Sequence, residues 1–289
     1  MTHAFRLPRG QVVRGYLVLP HAVPIVVVMT ATAAFAVIAA DGWPGLGPMA
    51  CLLGAMLGGQ LAIGAVNELL DADLDAISKP AKPIPAGLVS RRGARTVAIG
   101  GLILMTALSQ RFGVDAFLLC ALGTGVGIAY SLWFKRTIWA WVPYLIALPL
   151  LPIWVWVALD TVKLGMFAIF PIGAAAVIAL QLAQSLPDIE ADRNANVRTL
   201  AVALGPTRAR RVCWLAMILT ASLAAGLAPW LTGQPAYVWT AAFVACGMVG
   251  LHAFIWSRNP RSGVMACFPC IASGVVALGV GWTMALIGP

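Results

Sequence analysis

Long apolar stretches, separated by short polar segments, follow one another along the whole chain. Their lengths are close to the roughly 20 residues that an α-helix needs to cross the hydrocarbon core of a bilayer. No stretch is left over for a separate soluble domain, so residues 1–289 are expected to form a single transmembrane domain. The pattern predicts an all-α polytopic membrane protein with nine transmembrane helices, over residues 17–39, 47–70, 96–110, 114–133, 138–158, 164–186, 211–230, 237–256 and 264–287.

The positions of the basic residues test this count independently. Of the 19 lysines and arginines, 17 fall in the N-terminal segment and in alternate loops, and only Arg111 and Lys163 fall in the opposite loops. Loops rich in lysine and arginine stay in the cytoplasm. The distribution therefore predicts a cytoplasmic N-terminus, and an odd number of spans then places the C-terminus on the other side of the membrane.

Composition agrees with the apolar pattern. The chain is 61% hydrophobic and 10% charged, and its mean hydropathy of +0.91 lies outside the range of soluble domains. The net charge of +9 lies mainly on the predicted cytoplasmic side, where anionic membrane lipid or an anionic substrate would be met. We expect no nucleic-acid partner. No removable signal peptide is evident at the N-terminus. Because no transit peptide precedes the first span, we expect the protein in the cytoplasmic membrane of a bacterium.

Carboxylates are rare, and seven of the ten lie in two short patches at predicted cytoplasmic helix ends. The first patch contains Asn67-x-x-x-Asp71-x-x-x-Asp75, and the second contains Asp188-x-x-x-Asp192. Residues four positions apart share one face of a helix. Mg²⁺ prefers one or two carboxylates together with phosphate and water, so we predict that these five residues hold Mg²⁺ and, through it, a diphosphate. The other acidic residues of the patches are expected to lie off this face; they are Glu68, Asp73 and Glu190.

Basic residues near the same helix ends would complement the negative charge of a diphosphate. Six of them are predicted to bind it: Lys79, Lys82, Lys135, Arg136, Arg193 and Arg198. Tyr130, at the end of the fourth span, is a candidate for facing a developing cation through its ring, with simple packing as the alternative.

These motifs, in this order, resemble those of the UbiA superfamily of intramembrane prenyltransferases. The resemblance rests on the two aspartate motifs, on Lys79-Pro-Ala-Lys-Pro-Ile-Pro-Ala-Gly87 between them, on Tyr130 with Lys135-Arg136, and on Thr199-Leu-Ala-Val-Ala-Leu-Gly205 after the second motif. It covers the whole chain and implies nine helices around a central cavity. Three positions depart from the family pattern. Lysines stand at 79 and 82 where arginine is usual, and Asn196 stands where glycine is frequent; asparagine tolerates the left-handed conformation, so a turn there is expected to survive.

The resemblance implies Mg²⁺-dependent ionisation of an allylic prenyl diphosphate, from geranyl to geranylgeranyl or longer. The carbocation would then be attacked by a hydrophobic acceptor in a cavity open to membrane lipid, with the active site facing the cytoplasm. We expect the acceptor to be an aromatic compound or a quinone precursor, and the protein to be a prenyltransferase.

Three alternatives stay open. A membrane terpene cyclase would use the same ionisation, with the cation captured by double bonds of its own chain in an aromatic pocket. Transfer to a non-aromatic alcohol, or of a sugar phosphate to a polyprenyl carrier, is the second. A transporter or metal channel is the third, although transport sites usually lie near the midplane and not at helix ends. The aromatic residues that would line a cyclase pocket are Trp133, Phe134, Tyr144, Trp154 and Trp156.

Overall fold

The computed structural model describes residues 8–20, 22–194 and 196–287. These residues fold into α-helices joined by short turns, with no strand among them, which confirms the all-α prediction. The helices are α1 (Arg9–Val18), α2 (Ala22–Ala39), α3 (Leu46–Ser78), α4 (Arg91–Ser109), α5 (Val114–Ala129), α6 (Val142–Ala158), α7 (Ile169–Ser185), α8 (Ile189–Asn194), α9 (Leu200–Leu231), α10 (Pro235–Arg258) and α11 (Pro260–Ile287).

Six helical segments of the described chain are long enough and apolar enough to cross a membrane, so the protein is an integral membrane protein. Large apolar side chains stand on their outer faces, such as Phe243, which is 81% exposed; lipid is the solvent that suits such a surface. Two shorter apolar helices, Pro24–Ala39 and Val142–Ala158, overlap two further predicted spans. The count of nine spans and the cytoplasmic N-terminus stay predictions. The six segments are Leu46–Ile77, Val114–Phe134, Leu164–Asn194, Leu200–Leu231, Pro235–Arg258 and Pro260–Leu286.

The chain divides into two compact units, and each is described by itself. The first comprises Met1–Leu132 and Trp154–Thr161. Its central element is α3, which packs against α2, α4 and α5. Small residues allow this close packing. A Cβ atom on Gly58 would lie 2.6 Å from the backbone oxygen of Gly101, so only glycine lets α3 and α4 cross at this distance.

The second unit comprises Trp133–Ile153 and Val162–Pro289. Here α9 packs against α7 and α10, and α10 packs along α11. The first turn of α9 is offset from the rest of the helix at Gly205, where φ is 71° and ψ is 165°. A side chain is strained in this region of backbone space, and Pro206 restarts the helix directly after it.

Candidate active site

The end of α3 carries the first acidic patch. The predicted span stops at residue 70, but α3 continues to Ser78. It ends there because Lys79 precedes Pro80 and takes a non-helical conformation (φ −142°, ψ 61°). Asn67, Asp71 and Asp75 therefore lie on one continuous helix, as their spacing requires. Asp71 and Asp75 are buried, with 7% and 5% of their surface exposed.

Glu68 lies on the acidic face of α3, whereas the sequence pattern predicts that it lies off this face. It is 1% exposed, and its Oε1 atom accepts a hydrogen bond from Lys82 Nζ at 2.6 Å. The same ammonium lies 2.8 Å from Asp75 Oδ2. The expectation was wrong because it counted only steps of four. Asp75 follows Glu68 by seven residues, which is close to two full turns of an α-helix, so the two carboxylates are stacked on one side.

Lys82 is thus held between two carboxylates of α3. Burial disfavours its charged form and lowers the pKa of the ammonium, but the contacts with Asp75 and Glu68 and their negative charges outweigh burial. The pKa of Lys82 therefore lies above its ordinary value, and the side chain is a permanent cation at neutral pH. Lys82 is a predicted diphosphate-binding residue that the fold brings directly to the first motif.

The loop that carries Lys82 is folded, which explains how the lysine is positioned. Within it, Val89 N donates a hydrogen bond to Pro83 O at 3.1 Å, and Ala86 N donates to Lys82 O at 2.9 Å. Val89 is buried against Leu19 from the end of α1 and against small residues of α3 and α4. An ion pair between Arg91 and Asp73 ties the far end of the loop to α3. Lys79 lies at the start of the loop and is exposed.

The second acidic patch has less regular geometry. α7 ends at Ser185, a 3₁₀ turn covers Leu186–Asp188, and α8 follows. Asp188 and Asp192 are four residues apart, but they are not on one uninterrupted α-helix. Asp188 and Glu190 are exposed, and Asp192 is half-buried.

A tight turn after α8 leads into α9. Asn196 adopts φ 55°, which confirms that this asparagine takes the left-handed conformation in place of a glycine. Val197 N closes the turn by donating to Asp192 O at 2.9 Å. A cavity of about 380 Å³ opens beside the turn, and both predicted diphosphate-binding arginines of this region line it. Its lining residues are Arg193, Asn196, Val197, Arg198 and Val202.

Tyr130 lies at the end of α5, where it opens a π-helical turn over Tyr130–Phe134. Such turns are uncommon and are often found at functional sites. Tyr130 and Lys135 are half-buried and Arg136 is exposed. Their roles at the diphosphate stay predictions.

The donor set of the first patch fits Mg²⁺. Asn67, Asp71 and Asp75 offer hard oxygen ligands, and Asp75 Oδ2 is fully buried with a cation as its neighbour. Within the described residues, no three His, Cys, Asp or Glu side chains are grouped closely enough to hold a metal alone. A Mg²⁺ ion held by the first patch would take its remaining ligands from phosphate oxygens and water. The first patch belongs to the first unit and the second patch to the second unit, and a shared cage stays a prediction.

Comparison with known proteins places this geometry in a family. Residues 27–273 match the UbiA prenyltransferase family. The chain is 29% identical to digeranylgeranylglyceryl phosphate synthase of Natronomonas pharaonis over 217 residues, which cover 72% of this chain and 76% of that protein. It is 26% identical to the bacteriochlorophyll synthase 33 kDa chain of Rhodobacter capsulatus over 230 residues, covering 73% of each.

The fold agrees. A UbiA homolog from Archaeoglobus fulgidus, solved with GPP and Mg²⁺, superimposes with a TM-score of 0.64 at 20% identity, covering 92% of this chain and 99% of that one. The family match extends over most of the sequence, and the buried carboxylates at the end of α3 lie inside it. The chain belongs to the UbiA prenyltransferase family, and it is a prenyltransferase.

Proposed function

We propose that this protein transfers a prenyl group from an allylic prenyl diphosphate to a hydrophobic acceptor within the membrane, and that the reaction depends on Mg²⁺. The observation that carries the proposal is the end of α3, where buried Asp71 and Asp75 lie beside a lysine of the neighbouring loop. Buried carboxylates at the end of a membrane helix are costly unless they serve a site. The preferred acceptor is an aromatic compound or a quinone precursor.

The roles of the residues follow from their chemistry. Asn67, Asp71 and Asp75 from the first unit, with Asp188 and Asp192 from the second, would hold Mg²⁺ through their side-chain oxygens. When bound, Mg²⁺ neutralises the diphosphate and stabilises its negative charge as it departs. Lys82 would add a positive charge next to Asp75, and Lys79 would approach from the start of the same loop. The other residues that would bind the diphosphate are Lys135, Arg136, Arg193 and Arg198.

The apolar surroundings would protect the allylic cation. A site at the end of membrane helices lets the prenyl chain enter the bilayer region, where little water is present to quench the cation. Fixed positive charges at the diphosphate end act on the leaving group and not on the cation. Tyr130 would face the cation through the negative face of its ring. The predicted topology places the diphosphate end at the cytoplasmic surface of the membrane.

A non-aromatic alcohol is the second candidate acceptor. Several relatives of this chain are named digeranylgeranylglyceryl phosphate synthase, whose named product is a prenylated glyceryl phosphate. The arginine-lined cavity beside the second motif supports this candidate. With such an acceptor, Arg193 and Arg198 would bind the phosphate of the acceptor in place of the diphosphate.

The test is diphosphate release by the purified protein in detergent with Mg²⁺ and geranyl, farnesyl or geranylgeranyl diphosphate. Organic products are identified by mass spectrometry, first without an acceptor and then with an aromatic acid, a quinone precursor or a prenylglyceryl phosphate. We expect turnover only with an acceptor, and a product heavier than that acceptor by one prenyl group. A cyclic hydrocarbon formed without any acceptor would contradict the proposal and establish a terpene cyclase.

A further inference from the structure

An arginine is clamped between two tryptophan rings at one end of the second unit. The guanidinium carbon of Arg210 lies 5.0 Å from the ring centre of Trp214, on the same helix, and 4.3 Å from that of Trp256 at the end of α10. Arginine over an aromatic face is a favourable contact, and two such contacts fix the plane of the guanidinium group.

Both rings are themselves held in place. Trp214 Nε1 donates a hydrogen bond to His252 Nδ1 at 2.7 Å, and His252 Nε2 donates to Gly263 O at 2.9 Å. Gly263 lies directly against Trp256, since a Cβ atom added there would come within 2.8 Å of the Trp256 Cα atom. The clamp therefore connects α9, α10 and the start of α11, and it is a rigid feature of the fold.

The clamped arginine lacks a carboxylate partner. Residues 193–289 contain seven arginines and no aspartate or glutamate. Among the residues that the structure describes, Arg210 makes no ion pair, and its Nε atom is buried without a hydrogen-bond acceptor. A charge that is half-buried beside apolar rings is expected to have a counter-charge. This part of the chain provides no carboxylate for that role, and an anion from outside it would supply the counter-charge.

Orientation in the membrane does not account for the clamp. The positive-inside rule needs only basic residues near the helix ends. Arg208 and Arg211, the neighbours of Arg210 on α9, satisfy that need as exposed side chains. Arg210 differs from them because it is half-buried and because two tryptophans fix it.

We propose that Arg210, oriented by Trp214 and Trp256, binds the phosphate of an anionic membrane lipid at the surface end of α9, α10 and α11. A fixed guanidinium group matches the geometry of a phosphate, to which it donates paired hydrogen bonds. Tryptophan belongs to the headgroup level of membranes. Exposed Arg258, the last residue of α10, and exposed Arg261, in the first turn of α11, add positive charge at the same end. The site uses none of the acidic residues of the two motifs, and it does not depend on the proposed reaction.

The experiment is native mass spectrometry of the purified full chain in detergent, titrated with phosphatidylglycerol or with zwitterionic phosphatidylcholine. We expect one phosphatidylglycerol to bind about tenfold more tightly than phosphatidylcholine, and Arg210→Gln to remove that preference. Arg208→Gln and Arg211→Gln are matched controls, because each removes one charge from the same helix and each is expected to change the affinity less than about twofold. Equal losses in all three variants would show diffuse charge attraction and would overturn the proposal.

Two further measurements cover the remaining outcomes. If Arg210→Gln does not fold, Arg210→Lys keeps the charge without the paired donors, and Trp256→Leu removes one face of the clamp. Each is expected to weaken phosphatidylglycerol binding about threefold or more, and unchanged binding in both would refute the assignment. Inorganic phosphate and glycerol 3-phosphate are added as competitors. Displacement of the lipid by either at millimolar concentration would show that the site serves a soluble phosphate compound instead.

Discussion

The ammonium of Lys82 lies between two buried carboxylates, so removing it would take away a positive charge that both Glu68 and Asp75 contact. We predict that Lys82→Met lowers the stability of the protein by about 1–3 kcal/mol, measured as a lower midpoint of thermal unfolding in detergent. The matched control is Lys79→Met in the same loop, where the side chain is exposed and the expected change is within about 0.5 kcal/mol. Equal effects of the two variants would show that the buried contacts do not matter.

A comparison of Asp71 with Glu190 tests which acidic residues would hold Mg²⁺ and which only lie next to those ligands in the sequence. Asp71 is buried on the acidic face of α3, and Glu190 is exposed on α8. We predict that Asp71→Asn lowers the rate of diphosphate release about 100-fold or more, because a neutral amide replaces a ligand charge. Glu190→Gln is expected to stay within about threefold of the parent rate. The rates are measured with saturating Mg²⁺, and a comparable loss in both variants would contradict the assignment.

Glu68 shows what the residue pattern could and could not predict. The steps of four from Asn67 to Asp75 are visible in the sequence, and they predict one helix face, on which the structure buries Asp71 and Asp75. The stacking of Glu68 over Asp75 corresponds to a spacing of seven residues, which a pattern of steps of four does not include. The contact with Lys82 was beyond any spacing argument, because it depends on how a folded loop returns to α3.

α3 and α4 cross at glycines, so their packing depends on the absence of side chains. We predict that Gly58→Ala destabilises the protein by about 1–3 kcal/mol, because the added Cβ atom would lie 2.6 Å from backbone atoms of Gly101 and Met105. Gly100→Ala on α4 is the control, since nothing lies within 4 Å of a Cβ atom there. Its expected effect is neutral or slightly stabilising, because alanine is the better helix former. Thermal unfolding in detergent compares the two variants, and an equal loss in both would contradict the close approach.

Element boundaries were predicted well where hydropathy decides them and poorly where it does not. Hydropathy marks the part of a helix that lies in lipid, so it predicts that the second span ends at residue 70. The helix itself continues until Pro80 makes its neighbour Lys79 leave the helical conformation. The contact of Arg210 with Trp214 fits their spacing of four on α9. The second face of the clamp had no signal in the sequence, because Trp256 is far along the chain and meets Arg210 only through helix packing.

Metal dependence is a property of the whole enzyme. We predict that EDTA stops diphosphate release and that added Mg²⁺ restores it, since the oxygen donors of the acidic motifs suit this ion. Ca²⁺ is expected to restore less activity, because it is larger and takes more ligands at longer distances. The assay measures released diphosphate after dialysis against EDTA. Full turnover in the continued presence of EDTA would exclude the proposed Mg²⁺ cage.

The orientation of the chain in the membrane is testable with single cysteines placed in a background without the natural six. We predict that a cysteine at Ser90, in the loop after α3, reacts with a membrane-impermeant maleimide only from the cytoplasmic side. A cysteine at Gln234, before α10, is expected to react only from the opposite side. Inside-out and right-side-out vesicles give the two directions. Labelling of both positions from one side would show that the predicted count of spans is wrong.

The length of α3 determines which part of the substrate would lie in water and which part in lipid. Its 33 residues extend about 50 Å, whereas the hydrocarbon core is about 30 Å thick. Even tilted by about 40°, the helix would rise about 38 Å, so part of it must stand outside the hydrocarbon. The end with Asp71 and Asp75 is the part suited to water. If the proposed function is correct, the diphosphate would stay outside the hydrocarbon core of the membrane. Only the prenyl chain would enter the hydrocarbon core. The preferred chain length would then be set by the length of the apolar cavity below the carboxylates, independently of the residues that bind the diphosphate.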